Sequence, residues 1–297
     1  MSVRGRLLLM ALLVNQSTSC RYLPPAPGQA TARAARKFCH LLEKAHEAGL
    51  SNQSLYIDVG VDYGMEVLIA HAYGHPVVAF ECRLQGASEF INKPFWTPNG
   101  KIPLPSSVRL VPGCASDRNG LGTLSHALDS STVHGELLTG TAGQQIGPLI
   151  GWKSTRDGGM STMINGSTSS FVITPKVTTM PFLTLDTALD RPSLAALGLG
   201  ASFSHHGIGL LKIDAQGHDA AILRGAVRTL LDYLPLVIYE DEMLPEEQRR
   251  GRFLSVLLGD SGARSNYTCG CDATDCVCAP LHSRPELSNL VHSAHAK

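Results

Sequence analysis

Short apolar runs bounded by turn residues alternate along the chain with stretches in which apolar positions recur every three or four residues. In the first such stretch Ala35, Phe38, Cys39, Leu42 and Ala45 share one helical face, which predicts a helix over about 30–48 that stops at Gly49. Leu55-Tyr56-Ile57 then reads as a strand, 65–73 as a helix, 77–80 (VVAF) as a second strand and 108–111 (VRLV) as a third. Further on, 209–213 (GLLKI) reads as a fourth strand, and 220–231 as a helix that buries Ile222, Leu223, Ala226, Leu230 and Leu231. A fifth strand at 236–239 (LVIY) and a last helix over 246–258 complete the alternation. Strands that are apolar throughout cannot present a face to water, so strands of this kind separated by helices predict an α/β fold with a doubly wound, mainly parallel sheet.

The spacing of these elements sets the domain organisation. About ninety residues lie between the third and fourth strands, far more than such a connection needs. Within this insert, 136–176 is rich in Gly, Ser and Thr without a helical period, and predicts loops and short hairpins. No internal repeat is visible. The chain therefore divides into a targeting signal and Pro-rich linker (1–29, with YLPPAPGQ at 22–29), one domain over 30–282, and a flexible tail over 283–297.

Composition narrows the class. With 43% hydrophobic and 17% charged residues, the 297-residue chain does not have the low hydrophobicity of a disordered one. Its 25 basic and 25 acidic residues cancel, so no net field favours a polyanion, and nucleic acid is not an expected partner. The apolar run 7–14 behind Arg4 and Arg6 is too short for a transmembrane span. Followed by small polar residues, it reads as a secretory signal cleaved near Ser19, which predicts the secretory lumen or secretion. A transit peptide is the alternative, because no acidic residue precedes Glu43 while Arg21, Arg33 and Arg36 continue the basic bias. Sequons at Asn15, Asn52, Asn165 and Asn266 lean toward the secretory route.

Eight cysteines are present. Cys20, Cys39, Cys82 and Cys114 are scattered and read as buried small hydrophobes. The other four form CGCDATDCVC, in which a hairpin loop over 272–275 would set Cys271 opposite Cys276 and Cys269 opposite Cys278, all on one side. Such a hairpin closes two disulfides or holds a metal. CxC spacing is shorter than zinc sites favour, and a secretory route favours disulfides, so no metal site is assigned.

In an open α/β sheet the ligand lies beyond the carboxyl ends of the strands, where the strand order reverses. The first strand leaves through Asp58-Val59-Gly60 toward Gly64, and the second ends at Glu81. A carboxylate at Asp58 opposes the pyrophosphate of a dinucleotide, and GxGxxG is missing, which disfavours an NAD-dependent oxidoreductase. The DxGxxxG turn suits a ligand with an ammonium group and an adenosine, and Glu81 stands where a carboxylate accepts hydrogen bonds from ribose hydroxyls. These features describe S-adenosylmethionine.

The run YIDVGVDYGMEVLIAHAYGHPVVAFE, the segment TLDTAL at 184–189 and above all LLKIDAQGHDAAILRGA at 210–226 resemble the FkbM-type family of S-adenosylmethionine-dependent O-methyltransferases. The resemblance spans roughly 55–242 and implies a class I methyltransferase sheet and methyl transfer to a hydroxyl of a carbohydrate, glycan or similar small molecule. It further implies that Asp58, Gly60 and Gly64 form the methionine-side loop, that Glu81 clamps the ribose, and that Ala115, Ser116 and Asp117 lie beside the adenine. The chain departs from the family at Gln216, where members often carry Glu; a methyltransferase fold retained only as a binding module is therefore a rival reading.

An alcohol acceptor needs a base for its proton. Asp214 at the end of the fourth strand, His218 four residues later and Glu240 at the end of the fifth strand are the candidates. Their structural alternatives are a helix cap for Asp214, a solvent-facing helix start for His218, and an ion pair for Glu240. His205 and His206 read as solvated loop residues. Nothing in the sequence identifies the acceptor or the oligomeric state.

Overall fold

The computed structural model describes residues 20, 29–61, 64–82, 84–92, 95–97, 100–102, 104–126, 137–138, 152–153, 162–163, 176–200, 206–215, 218–241, 244, 246–259, 267–272, 275–281, 286–288 and 291. The first half contains α1 (Gln29–Glu47), β1 (Leu55–Val59), α2 (Met65–Ala72), β2 (Val77–Glu81), α3 (Leu84–Asn92), β3 (Val108–Pro112), β4 (Cys114–Ala115) and β5 (Gly120–His126). The second half contains β6 (Lys176–Leu183), α4 (Leu185–Ala188), α5 (Arg191–Ala196), β7 (Ile208–Ile213), α6 (Asp219–Arg224) and α7 (Val227–Tyr233). It closes with β8 (Leu236–Glu240), α8 (Arg252–Leu258), β9 (Tyr267–Cys271) and β10 (Asp275–Pro280).

The apolar runs become the middle of one seven-stranded sheet, in the order β9-β10-β8-β7-β1-β2-β3. From β3 to β8 all pairings are parallel, and the cysteine hairpin β9-β10 closes one edge antiparallel. This is the doubly wound arrangement expected: the chain winds outward from β1 through β2 to β3, returns, and winds the other way through β7 to β8. The order thus reverses between β1 and β7.

Alternation along each strand divides the core. Ile57, Val59, Phe80, Leu211, Ile213, Val237 and Tyr239 pack under α4–α8, while Tyr56, Val77, Ala79, Leu210, Leu236 and Ile238 pack under α1–α3. Leu287 and Val291, in the segment expected to be a flexible tail, are buried in the second of these layers. No helix among the described residues is long and apolar enough to cross a membrane.

Several expectations need correction. The helix over 220–231 is two helices, α6 and α7, parted at Gly225-Ala226. A Cβ at Gly225 would stand 1.9 Å from the Ser116 carbonyl oxygen, so the chain turns there to let two backbones touch. The last helix is also broken, into a 3-10 turn (Glu246–Gln248) and α8. Arg250 and Gly251 take left-handed φ values of 57° and 76° between them, and a Cβ at Gly251 would meet Cys269 Cβ at 2.2 Å. Helix α3 had no counterpart in the sequence reading. On either side of the stretch expected to form loops and short hairpins, β6 pairs antiparallel with β5 and parallel with β4, forming a second sheet at the carboxyl edge of β3. Most of 136–175, the targeting segment and the linker lie outside the described residues.

The largest correction concerns the scattered cysteines. They are not free hydrophobes but partners, Cys20 with Cys39 and Cys82 with Cys114. The hairpin pairs as its register requires, Cys269 with Cys278 and Cys271 with Cys276, so disulfides rather than a metal occupy it. All eight cysteines are therefore bridged.

Candidate functional site

Two glycines shape the reversal point. Gly60 leaves β1 at φ 87°, its N–H donating to Phe80 O (3.0 Å) while Asp214 N–H donates to Val59 O (2.9 Å). A Cβ on Gly60 would lie 2.0 Å from the Asp214 carbonyl oxygen, so β1 and β7 stay in contact up to their loops because residue 60 has no side chain. Gly64 then caps α2 at φ 69°, where a Cβ would lie 2.5 Å from the Phe90 ring. Asp62 and Tyr63, between these glycines, lie outside the described residues.

Asp58 precedes this turn and is fully buried, and neither carboxylate oxygen has a hydrogen-bond partner among the described residues. Register places Lys212 opposite it, with the ammonium 4.0 Å from Asp58 Oδ1 and 3.1 Å from Asp214 Oδ2. Burial pushes the Asp58 carboxyl up to about 7 even though Lys212 pulls the other way. Burial also works against the Lys212 ammonium, but the carboxylates of Asp214, Glu66 and Asp58 outweigh it and raise its pKa well above the usual lysine value. A lysine inside an otherwise apolar strand, GLLKI, was the available signal for this group, and sequence reasoning passed over it.

Glu240 closes β8 on the same side of the sheet, half-buried. Burial first, and then the carboxylates of Asp214, Asp219 and Asp275, push it up to about 9, so it is protonated at neutral pH. The ion pair considered as its alternative role does not form among the described residues. Lys37 of α1 instead binds Asp272 and Asp275. Asp58, Glu66, Asp214 and Glu240 therefore collect around one internal ammonium at the carboxyl edge. Such a cluster attracts cations and repels anions.

The remaining candidates gather one step away. Glu81 ends β2 buried, and Ala115 and Ser116 are buried at the end of β4. His218 stands at the N-cap of α6 without capping it, and its Nε2 lies 3.3 Å from Ser116 Oγ, while Arg224 Nε reaches Asp117 at 3.5 Å. Burial lowers the His218 pKa against a smaller opposing pull from Asp117. No hydrogen bond joins His218 to Asp214 among the described residues. The histidine is thus neither solvent-facing nor coupled to that acid, but is attached to the Ser116 loop. Among the described residues the Asp214 carboxylate makes no cap of α6 and is bonded by Lys212. His206 is exposed as expected, while His205 and Gln216 lie outside the described residues.

The family model described as "Methyltransferase FkbM domain" matches residues 113–265, more than half of the chain. The crystal structure of a methyltransferase FkbM from Methylobacillus flagellatus KT is similar at 12% identity and a TM-score of 0.39. That match covers 93% of this chain and 60% of the other, so the chain spans less than two thirds of that protein's length. No curated protein matches.

Proposed function

The chain belongs to the FkbM methyltransferase family, and from this premise we propose that it uses S-adenosylmethionine to methylate a hydroxyl of a carbohydrate, glycan or similar small molecule. The observation that carries the reading is Asp58, a fully buried carboxylate whose two oxygens lack hydrogen-bond partners among the described residues, at the sheet's reversal point. Its ion pair with Lys212 is long, at 4.0 Å, and a buried carboxylate whose oxygens accept no hydrogen bond is costly unless a ligand completes it. Gly60 and Gly64 beside it, at φ 87° and 69°, let β1 run against β7 and α2 start against Phe90 at this point. Together these features fit an ammonium-bearing nucleoside and not a pyrophosphate.

When bound, S-adenosylmethionine supplies an electrophilic methyl group on a sulfonium whose leaving thioether is neutral. Asp58, Gly60 and Gly64 would hold its methionine part, Glu81 its ribose, and the loop over 115–117 its adenine side. His218, bonded to Ser116, positions that last loop. Asp214 accepts the acceptor's proton, with Lys212 orienting its carboxylate from 3.1 Å. Glu240, neutral at physiological pH, donates a hydrogen bond to a second acceptor oxygen. An edge lined by carboxyl groups favours a neutral, hydroxyl-rich acceptor over a phosphate, sulfate or carboxylate. The secretory lumen, or secretion, is the proposed location; eight bridged cysteines support an oxidising compartment over an organelle reached by a transit peptide.

Calorimetry with S-adenosylhomocysteine and with NAD, paired with a methyl-transfer assay, tests the reading. S-adenosylhomocysteine should bind and NAD should not, and absence of transfer to any hydroxylated acceptor despite binding would return the binding-module reading. Asp58→Ala or Glu81→Ala should weaken S-adenosylhomocysteine binding by at least ~1.5 kcal/mol, the scale of a hydrogen bond to a charged group. Wild-type affinity in both folded variants would remove the cofactor assignment.

Cofactor binding should also depend on pH. The Asp58 and Glu240 pKa values, raised to about 7 and about 9, favour the fold at acid pH and disfavour it progressively as pH rises through those values. A cationic ligand stabilises the ionised carboxylates. S-adenosylmethionine should therefore bind more tightly between about pH 6 and 9 as pH rises, with proton release. Calorimetry in buffers of differing ionisation enthalpy reads this directly; proton uptake would contradict it.

A further inference from the structure

The ladder between β2 and β3 ends at Glu81 opposite Pro112, and beyond it Gly113 N–H donates to Glu81 O at 3.1 Å. The next residue on each segment is a cysteine, and Cys82 is bridged to Cys114. Glu81 and Ala115-Ser116 thus flank the bridge, one on each chain. Where backbone pairing between the two departing segments stops, a covalent bond continues it.

The two sides of this bridge are held differently. On one side, Cys114 and Ala115 pair with Phe182 and Leu183 of β6, Ser116 N–H donates to Leu183 O at 2.9 Å, and the Gly225 turn packs on Ser116. On the other, β2 has ended at Glu81, and Cys82 leans on the small apolar cluster of Cys114, Met180 and Phe182. The segment that leaves Glu81 is therefore tied to an anchored loop through sulfur. The other three bridges lie elsewhere, one between Cys20 and α1 and two within the β9-β10 hairpin.

We infer that the Cys82–Cys114 disulfide is a positioning element of the cofactor site, setting Glu81 against the Ala115-Ser116 loop and making cofactor affinity depend on its redox state. The inference rests on the cofactor reading above. A dithiol reductant would supply two electrons and two protons: the sulfur–sulfur bond breaks, Cys82 and Cys114 become thiols, and the reductant closes its own disulfide. Both segments and the Gly113–Glu81 hydrogen bond would persist, but beyond that bond no covalent link would tie the two segments, and a ligand spanning them would lose alignment.

The test compares full-length wild type with a C82S/C114S variant, using a C20S/C39S variant to control for general loss of stability. Measured well below every melting temperature, C82S/C114S should bind S-adenosylhomocysteine about tenfold more weakly and show a similar rise in KM for S-adenosylmethionine. Its kcat should change less than about threefold, and C20S/C39S should keep wild-type affinity. Graded dithiol reduction of wild type, with alkylation and mass spectrometry reporting which bridge opens, gives the same readout without substitution. Affinity should fall in step with opening of Cys82–Cys114 and return on reoxidation. Unchanged affinity with that bridge open overturns this inference alone, while failure of oxidised wild type to bind S-adenosylhomocysteine overturns it together with the cofactor reading.

Discussion

Asp214→Asn should lower kcat by roughly 100- to 10,000-fold, the range a positioned general base supplies, while S-adenosylhomocysteine affinity stays within about threefold of wild type. An alcohol is barely ionised at neutral pH, so its proton must leave as the oxygen attacks. Asp214 follows directly on β7, and its backbone N–H is bonded to Val59 O, so its position is set by the sheet. Asparagine preserves the shape and removes the charge, and Lys212 still has the Asp58 and Glu66 carboxylates as neighbours. The same assay on His218→Ala should raise KM for S-adenosylmethionine more than it lowers kcat, because His218 is bonded to Ser116 and not to the acid. If Asp214→Asn keeps near-normal turnover, Asp214 is not the base, and Glu240 or the insert becomes the place to look.

Gly60→Ala should cost about 3–5 kcal/mol of stability and abolish measurable cofactor binding, because two penalties act at one atom. The residue sits at φ 87°, where an L side chain is strained, and the added methyl would be 2.0 Å from the Asp214 carbonyl oxygen. Relief requires β1 and β7 to part where Asp58, Lys212 and Asp214 meet. Denaturant unfolding and calorimetry give the two readouts separately. Gly120→Ala is a useful control: Gly120 also has positive φ, at 139°, but a Cβ there meets nothing within 4 Å, so backbone strain should appear without loss of binding. A Gly60→Ala protein with wild-type stability and affinity would show that the seam between β1 and β7 does not hold the site together.

Much of this architecture was legible before any coordinates. Uniformly apolar runs such as VVAF and LVIY announced strands buried on both faces, and DxGxxxG announced a turn that needs glycine. With a hairpin loop over 272–275, the strand period sets Cys269 opposite Cys278 and Cys271 opposite Cys276, because both partners belong to one hairpin; that they are bridged came from the structure. Helix α3 and the split between α6 and α7 were not legible, since a period records which face an element buries and not where another backbone will press on it.

What the amino-acid sequence determined by itself is therefore local: which segments are strands or helices, which face each buries, and which residues stand at a strand's carboxyl end. The tertiary structure alone decided the meetings between elements. Lys212 faces Asp58 because β7 and β1 are neighbours in register, although more than 150 residues separate them in the chain. His218 joined Ser116 and not Asp214, and Cys82 found Cys114, for the same kind of reason. Strand order and register come from packing the whole sheet between its two helical layers, and no periodicity within one segment carries that information.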